Sequence, residues 1–525
     1  MPNFRYQVLA DQIIQRIQSG IYSPEQKLPS IRQLSQELNI SKGTAIRCYE
    51  YLEDQGWIAA KEKSGFFPHP SAMASVGIGV GVGAASGSVT AHRLDKPILS
   101  PQQKEDLQPR LIDNKSLGIH IVRSASHSDQ IPLGSANPCV SFPAVRQLYQ
   151  ALKKQVQIEQ QELDSGVLAH YQAPPGDPVL GQQLSKILSG KGIQCSPDEI
   201  LVTNGTQSAI TLALQVTTES EDIVLIESPC FYGILQCLQA LNRKVVEIPQ
   251  CPEGGPDINL LEAALIEGRK SHWPVKALLL QPTVNNPTGR TMPYENRVKL
   301  IELANQYDIA VIEDDVFAEL HFHRNRPQIN SVSQFQGIMP PPIKTLDTEN
   351  RVLYCSSISK TLTPKLRIGW LQAGRWQQAC EHLLFVSKMG LPSHTQKALG
   401  NWLATGRLSR HLRLIRRSYY ERLGYMEQAL AQYWPEEIEF EPPTGGYLAW
   451  VKLPRHVKAL DLYQQALEHN INTTPGPLFS SQGHYEHYIR LNFALFQNQP
   501  DYLAAIQYLA RIFHKRRQVP PKSLI

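Results

Sequence analysis

The sequence predicts an α/β protein whose main body follows a small helical module closed by a β-hairpin. Three observations carry that prediction. The chain has 525 residues, and at roughly 100–200 residues per domain that points to about three units. From about residue 116 onward, apolar runs alternate with amphipathic segments, as strands and helices do in turn. Residues 1–68 are instead helix-patterned up to a short two-strand close. Between them, residues 69–115 are rich in Gly, Ala, Ser and Val and then polar with scattered Pro, which predicts a flexible linker. Charged residues at 19% and apolar residues at 42% exclude a wholly disordered or fibrous chain. A net charge of +5 is too mild to imply a polyanionic partner by itself.

Each element of the module follows from local signals. Leu9, Ile13, Ile14 and Ile17 fall on one helical face, and Gly20 stops that helix. Ser30 with Gln33 forms a capping box for a second helix, whose Ile31, Leu34 and Leu38 face a core. Asn39 and Ile40 make a tight turn. Ser41 caps a third helix with Ile46, Tyr49 and Leu52 inside, ended by Gly56. Trp57–Lys61 and Gly65–Phe67 read as short strands with Glu62, Lys63 and Ser64 at the tip. Two short helices joined by a brief turn are a helix-turn-helix arrangement, and the hairpin makes a wing. Eight Lys/Arg against seven Asp/Glu in residues 1–68 carry no nucleic-acid signal. Placement carries one. Lys42, Thr44 and Arg47 lie early on the third helix, off its apolar face, where base edges and phosphates are met. A small packing module with solvated charges presents the same residues.

The run from Leu28 to Phe67 decides between the two. It resembles the winged helix-turn-helix of the GntR family across nearly all of residues 5–68. The shared pattern is Leu-Pro-Ser-x-Arg, then Ser41 and Thr44 followed by Tyr49, Leu52 and Gly56, then a Gly-tipped wing. The resemblance implies that Arg32, Lys42, Thr44 and Arg47 contact double-stranded operator DNA. It also implies that the wing at Lys63, Ser64 and Gly65 reaches the minor groove or backbone. Glu25-Gln26 departs from the family's usual Gly-Asp or Gly-Glu, within a turn.

In the body, Glu199–Val202 reads as a strand running into Gly205-Thr206-Gln207, which opens a helix. Free N–H groups and the dipole at such a start suit a phosphate, though many α/β turns contain Gly and Thr. Ala277–Pro282 is a strand ending in Asn285-Asn286-Pro287-Thr288-Gly289. Ile309–Ile312 runs straight into Glu313-Asp314-Asp315. Carboxylates at a strand's C-terminal end lie where α/β proteins bind ligands, or else cap the next helix. Arg351–Cys355 leads into Ser357-Ile358-Ser359-Lys360, with Arg367 seven residues on. A partly desolvated lysine can lose its proton and act as an amine nucleophile. Taken singly, Lys360 and Arg367 read as surface residues.

Together these four elements resemble the fold-type I, pyridoxal-phosphate-dependent aminotransferases of class I and II, over roughly residues 130–515. The resemblance implies a large mixed, mostly parallel sheet with flanking helices, and a small C-terminal α+β subdomain at roughly 405–515. The expected domains are therefore 1–68, a linker at 69–115, and 116–525. The implied cofactor is pyridoxal phosphate, held as a Schiff base by Lys360. Asp314 would pair with the pyridinium nitrogen and keep the ring an electron sink. Asn286 would bond the phenolic oxygen and Phe231 would stack on the ring. Gly205, Thr206, Gln207, Ser357, Ser359 and Arg367 would hold the phosphate. Tyr171 would reach the neighbouring subunit's phosphate, which implies a homodimer. Arg490 would bind a substrate carboxylate bidentately.

Two positions depart from that pattern. Phe317 stands where the family often has a Tyr near the phenolic oxygen, and Lys365 replaces the usual Gly after Pro364. Glu319, His321 and His323 alternate as metal ligands on a strand face would, but exposed strand-end polar residues are the adopted reading, and no metal is expected. The eight cysteines form no CxxC pair, which fits reduced thiols and a cytoplasmic protein. The start of the chain has no apolar signal-peptide core. The uncharged stretch 72–91 has five glycines and no Leu, Phe or Trp, so it reads as linker and no membrane partner is expected.

A GntR-like head ahead of an aminotransferase-like body resembles the MocR subfamily of transcription regulators. That implies a ligand-responsive, DNA-binding regulator. An amino acid or amine would exchange onto the cofactor, and closure of the small subdomain would alter how the heads sit on DNA. The competing reading is an active aminotransferase with an attached head. A third takes the cofactor itself as the signal.

Overall fold

The computed structural model describes residues 9–10, 13–14, 16–17, 22, 26–37, 40–54, 57–61, 65–68, 100–112, 130–163, 170–322, 339–496 and 500–517. Two compact units form, one built on the N-terminal module and one on the body.

In the module, Ile31–Glu37 and Lys42–Asp54 are helices, and β1 (Ile58–Lys61) pairs antiparallel with β2 (Gly65–Pro68). The capping box is present: Ser30 Oγ accepts from Gln33 N at 3.2 Å, and Gln33 Oε1 accepts from Ser30 N at 2.9 Å. Ser41 Oγ caps the next helix by accepting from Thr44 N at 3.1 Å. Ala10, Ile13, Ile17, Leu28, Leu34, Ala45, Cys48, Tyr49, Leu52 and Ile58 make the core. Tyr49 ties the helix to both neighbours, because its hydroxyl donates to Pro29 O at 2.6 Å and its ring lies 4.8 Å from that of Phe66. One expectation is overturned. Ile46 is 40% exposed, and Ala45 and Cys48 are buried instead. The set 45, 48, 49, 52 keeps one face of a 3.6-residue helix, whereas 46, 49, 52 drifts off it. Leu38, Lys63, Ser64 and the 72–91 stretch lie outside the described residues.

The body is built on a seven-stranded sheet. Its strands are β3 (Leu201–Thr203), β4 (Ile223–Ser228), β5 (Lys244–Pro249), β6 (Val275–Leu280), β7 (Ala310–Asp314), β8 (Val352–Ser357) and β9 (Gly369–Gln372), in the order β3-β9-β8-β7-β6-β4-β5. Only β9 runs antiparallel to its neighbours. The central strands are apolar throughout because both faces are covered. Val224, Leu279, Ile312 and Leu353 feed one core, while Leu225, Leu278, Val311 and Val352 feed the other. This is the alternation a strand imposes.

Three boundaries differ from those expected. The linker is shorter than 69–115: Pro101–Asp106 is a helix, Leu107 and Ile112 are buried in the two sheet cores, and Arg110 bridges Val245 at the edge of β5. Strand β3 begins at Leu201 because Ser196 caps a turn of 3-10 helix over Pro197–Glu199. Glu319 and His321 are not on an exposed strand, since Ala318–Leu320 is a 3-10 turn and His321 is buried against Gly445.

A second, antiparallel sheet follows, in the order β10 (Glu439–Phe440), β11 (Leu448–Lys452), β13 (Tyr488–Asn492), β12 (Thr474–Pro475). Helices Leu408–Tyr433, Ala459–Leu467 and Pro500–Arg517 pack with it. The subdomain also takes in a piece from far upstream. Leu133, Cys139 and Phe142 enter its core, and Asn492 N donates to Leu133 O at 2.6 Å. Among the described residues, no helix is long and apolar enough to cross a membrane.

Candidate cofactor site and nucleic-acid interface

The C-terminal ends of β4, β6, β7 and β8 converge on one place, and the antiparallel β9 brings its first residue there too. Register sets Ser357 opposite Gly369, and Gly369 opposite Thr203. The next residues, Asn204 and Gly205, therefore start the helix Thr206–Thr217 beside Ser357. Gly205 has φ 85°, and a Cβ on it would lie 2.5 Å from Arg367 Nη2. A Cβ on Gly369 would lie 2.6 Å from the Gly205 carbonyl carbon. Bare backbone is thus what lets the two chains and the guanidinium meet. Arg367 Nη2 donates to Asn204 O at 3.0 Å. Lys365, the residue standing where glycine is usual, points to solvent and its N donates to Thr363 Oγ1.

This cradle suits an anion. The first-turn N–H groups of Thr206 and Gln207 have no intrahelical acceptor. Thr206 Oγ1 is buried without a hydrogen-bond partner among the described residues. Ser357 and Ser359 are buried beside it, with Ser359 N donating to Ser357 Oγ at 3.3 Å. The Gln207 side chain is used elsewhere, donating to Gly233 O at 2.6 Å and thereby fixing the start of helix Tyr232–Ala240. Phe231 precedes that helix, and a Cβ on Gly233 would lie 2.5 Å from its ring.

Deeper in, Asp314 ends β7 and is fully surrounded. Burial pushes its carboxyl up to about 7, against the Gln281 side-chain bond that lowers it. Gln281 joins two candidate residues, for its Nε2 donates to Asp314 Oδ2 and its Oε1 accepts from Asn286 N at 3.1 Å. Glu227 fixes the same layer by accepting from Gln281 N and from Asn285 Nδ2 at 2.8 Å. Lys360 Nζ donates to Ala136 O at 2.9 Å. Burial, and then the nearby Arg490 charge, lower its ammonium to about 8, although Asp314 opposes this. Tyr447 donates to the same Ala136 oxygen at 3.0 Å, and its ring lies 5.5 Å from that of Phe317. A phenol therefore stands beside Lys360 even though Phe317 supplies none.

Arg490 is 1% exposed. It donates to Gly134 O through Nε and Nη2, to Asn286 Oδ1 at 3.0 Å and to Thr474 Oγ1 at 3.3 Å. Its guanidinium also lies over the Tyr232 and Phe479 rings, and among the described residues no carboxylate pairs with it. A buried guanidinium without a counter-charge is costly and suits an incoming carboxylate. Tyr171 is 79% exposed and touches none of these groups.

Of the residues expected from the sequence, the structure brings Lys360, Asp314, Asn286 and Arg490 together, and it adds Gln281, Tyr447 and the Gly134 and Ala136 carbonyls, which the sequence reading does not name. Tyr447 had one signal, its place after the paired glycines 445–446; the carbonyls had none.

The module presents Arg32, Lys42, Arg47 and Ile46 to solvent, with Thr44 half-buried. The Thr44 hydroxyl is 2.8 Å from Ser41 Oγ, so it helps cap its own helix. Gly65 opens β2 opposite Lys61.

The aminotransferase class I and II family matches residues 128–506, and the bacterial regulatory proteins of the gntR family match residues 5–67. The chain is 32% identical to the uncharacterized HTH-type transcriptional regulator YjiR of Escherichia coli strain K12, over 94% of this chain and 95% of that one. It is 33% identical to the regulator YdcR of the same organism, over 93% and 95%. Among solved structures it resembles the Pyrococcus horikoshii kynurenine aminotransferase, with TM-score 0.66 and 26% identity over 80% of this chain and 98% of that one. The chain belongs to the aminotransferase class I and II family and carries a GntR helix-turn-helix domain ahead of it, the arrangement of MocR-type regulators. The cofactor of that fold is pyridoxal phosphate, and the anion cradle, buried carboxylate and lysine amine fit it.

Proposed function

We propose that this protein is a transcription regulator in which binding of an amino acid or amine in the body sets how the heads occupy operator DNA. The observation that supports it most is Arg490, a buried cation with no carboxylate partner among the described residues, in a chain whose head also exposes Lys42 and Arg47 on its third helix. Bound pyridoxal phosphate supplies an electrophilic carbonyl carbon and an electron-withdrawing ring. Lys360 would hold that carbon and Asp314 the ring nitrogen, whose positive charge would keep the carboxylate ionised. Gly205, Thr206, Gln207, Ser357, Ser359 and Arg367 would hold the phosphate, Asn286 the phenolic oxygen and Phe231 the ring face.

When a ligand carboxylate meets Arg490, the bonds to Gly134 O and Asn286 Oδ1 are the ones that must rearrange. Gly134 belongs to the upstream strap that crosses to β13, so the small subdomain feels the exchange. Ligand binding shifts an arrangement only through different affinity for two states. On DNA, Arg32, Lys42, Thr44 and Arg47 would make the helix contacts, and Lys63, Ser64 and Gly65 the wing contacts.

A homodimer forms part of the proposal. Tyr149, Val156, Ile158 and Tyr171 are exposed apolar groups that a second copy would cover, bringing Tyr171 to the partner's phosphate. All eight cysteines are free, which supports a reducing, cytoplasmic setting. Because Lys360, Asp314 and the Tyr447 hydroxyl stand together, slow transamination is the second reading; sustained turnover with a keto acid would favour it. The test is the visible spectrum of purified protein loaded with pyridoxal phosphate and titrated with amino acids and amines. A band that one compound shifts is expected. No band after loading would overturn the cofactor assignment.

A further inference from the structure

The outward face of the helix Lys42–Asp54 carries an apolar side chain that core packing does not explain. Lys42, Gly43, Ile46 and Arg47 are exposed at spacings that place them on one face. Ile46 is 40% exposed, while its neighbour Ala45 and Cys48 are fully buried. An isoleucine stands at this exposed position between two cations, where a third cation would have added phosphate affinity. Gly43 is the second observation. A Cβ added there would meet nothing nearer than Ser41 Oγ at 3.8 Å, so no internal crowding requires glycine. Its bareness instead lowers the helix surface one turn before Ile46, which lets a short branched side chain reach into a groove.

The major groove offers one apolar feature at base edges, the C5 methyl of thymine. We propose that Ile46 is a specificity-determining residue that packs on a thymine methyl, between the contacts of Lys42 and Arg47. This rests on the DNA-binding reading of the head and names a base that the head selects.

The experiment selects duplexes from a random pool with the full-length protein, then measures affinity for the enriched site. Each conserved thymine is replaced in turn by deoxyuridine, which removes only the methyl group. For the wild type, one such replacement weakens binding by about fourfold, the worth of one buried methyl. For Ile46→Ala, the thymine and deoxyuridine sites bind alike, while preferences at the remaining positions persist and show that the head is folded. Gly43→Val, which adds bulk beside Ile46, also removes the methyl effect. Wild-type binding indifferent to every methyl, or an Ile46→Ala protein as methyl-sensitive as the wild type, overturns the inference alone. A pool with no enriched sequence overturns the DNA-binding reading along with it.

Discussion

The head and the body of this chain use their functional side chains in opposite ways. In the head, Lys42, Ile46 and Arg47 stand in solvent on a helix whose other face is packed. Replacing them leaves the core intact, and their binding energy comes entirely from what docks on them. In the body, Asp314 and Arg490 are buried, Lys360 is partly so, and burial has moved their protonation toward the neutral form. Such groups are waiting for a partner that restores charge balance. A head variant should therefore change DNA binding alone, and a body variant should change cofactor or ligand binding first and DNA only through coupling.

The largest expected effect is Lys360→Ala. It removes the amine, so the visible band of the lysine-linked cofactor is lost outright, whereas specific DNA binding persists; loss of both would erase the contrast between regions. Next is Arg490→Ala. Truncating one side of a buried, hydrogen-bonded charge pair costs about 2–5 kcal/mol, so ligand affinity falls by roughly a hundredfold in a spectral titration. Cofactor binding stays. A smaller effect attends Arg47→Ala, which weakens DNA binding by roughly tenfold and flattens its salt dependence by about one counterion. Any change in its visible spectrum would count against separate regions.

The pH dependence sharpens the body's side of the comparison. The neutral amine is the reactive form, and Lys360 sits near 8 rather than the ordinary 10.5. The rate of cofactor capture by the apo-protein should rise as pH climbs through about 8 and level off above it. A rise delayed to the ordinary lysine range would contradict the burial argument. The smallest effect is in the head's packing: Tyr49→Phe loses the bond to Pro29 O and should cost about 1 kcal/mol of stability, read as a lower Tm with DNA preferences intact.

What the sequence revealed follows the same divide. The chemical motifs of the body were legible because side-chain identity is the signal: lysine among serines, aspartate at a strand end, glycines at a helix start. The carbonyls of Gly134 and Ala136 were not, because every residue has one and only the fold says which faces Lys360 or Arg490. Likewise no spacing rule shows that residues 131–142 join a subdomain built some 300 residues later. In the head, capping signals at Ser30 and Ser41 fixed the helix starts. Ile46 was misplaced because hydrophobicity favours isoleucine over alanine for a core, while the helical period put Ala45 there. The linker's far end was misjudged because Pro, Gln and charge at 101–106 look like loop until Leu107 and Ile112 find the sheet.

The most direct test of coupling between the two regions measures affinity for a selected DNA site with and without the compound that shifts the visible band. In the wild-type protein the affinity should change by about threefold or more, in either direction, within the range of measured allosteric couplings. In the Lys360→Ala protein the same compound should leave it unchanged. Equal wild-type affinities with and without the compound, at saturation judged by the spectrum, would contradict a regulator and leave two independent activities on one chain.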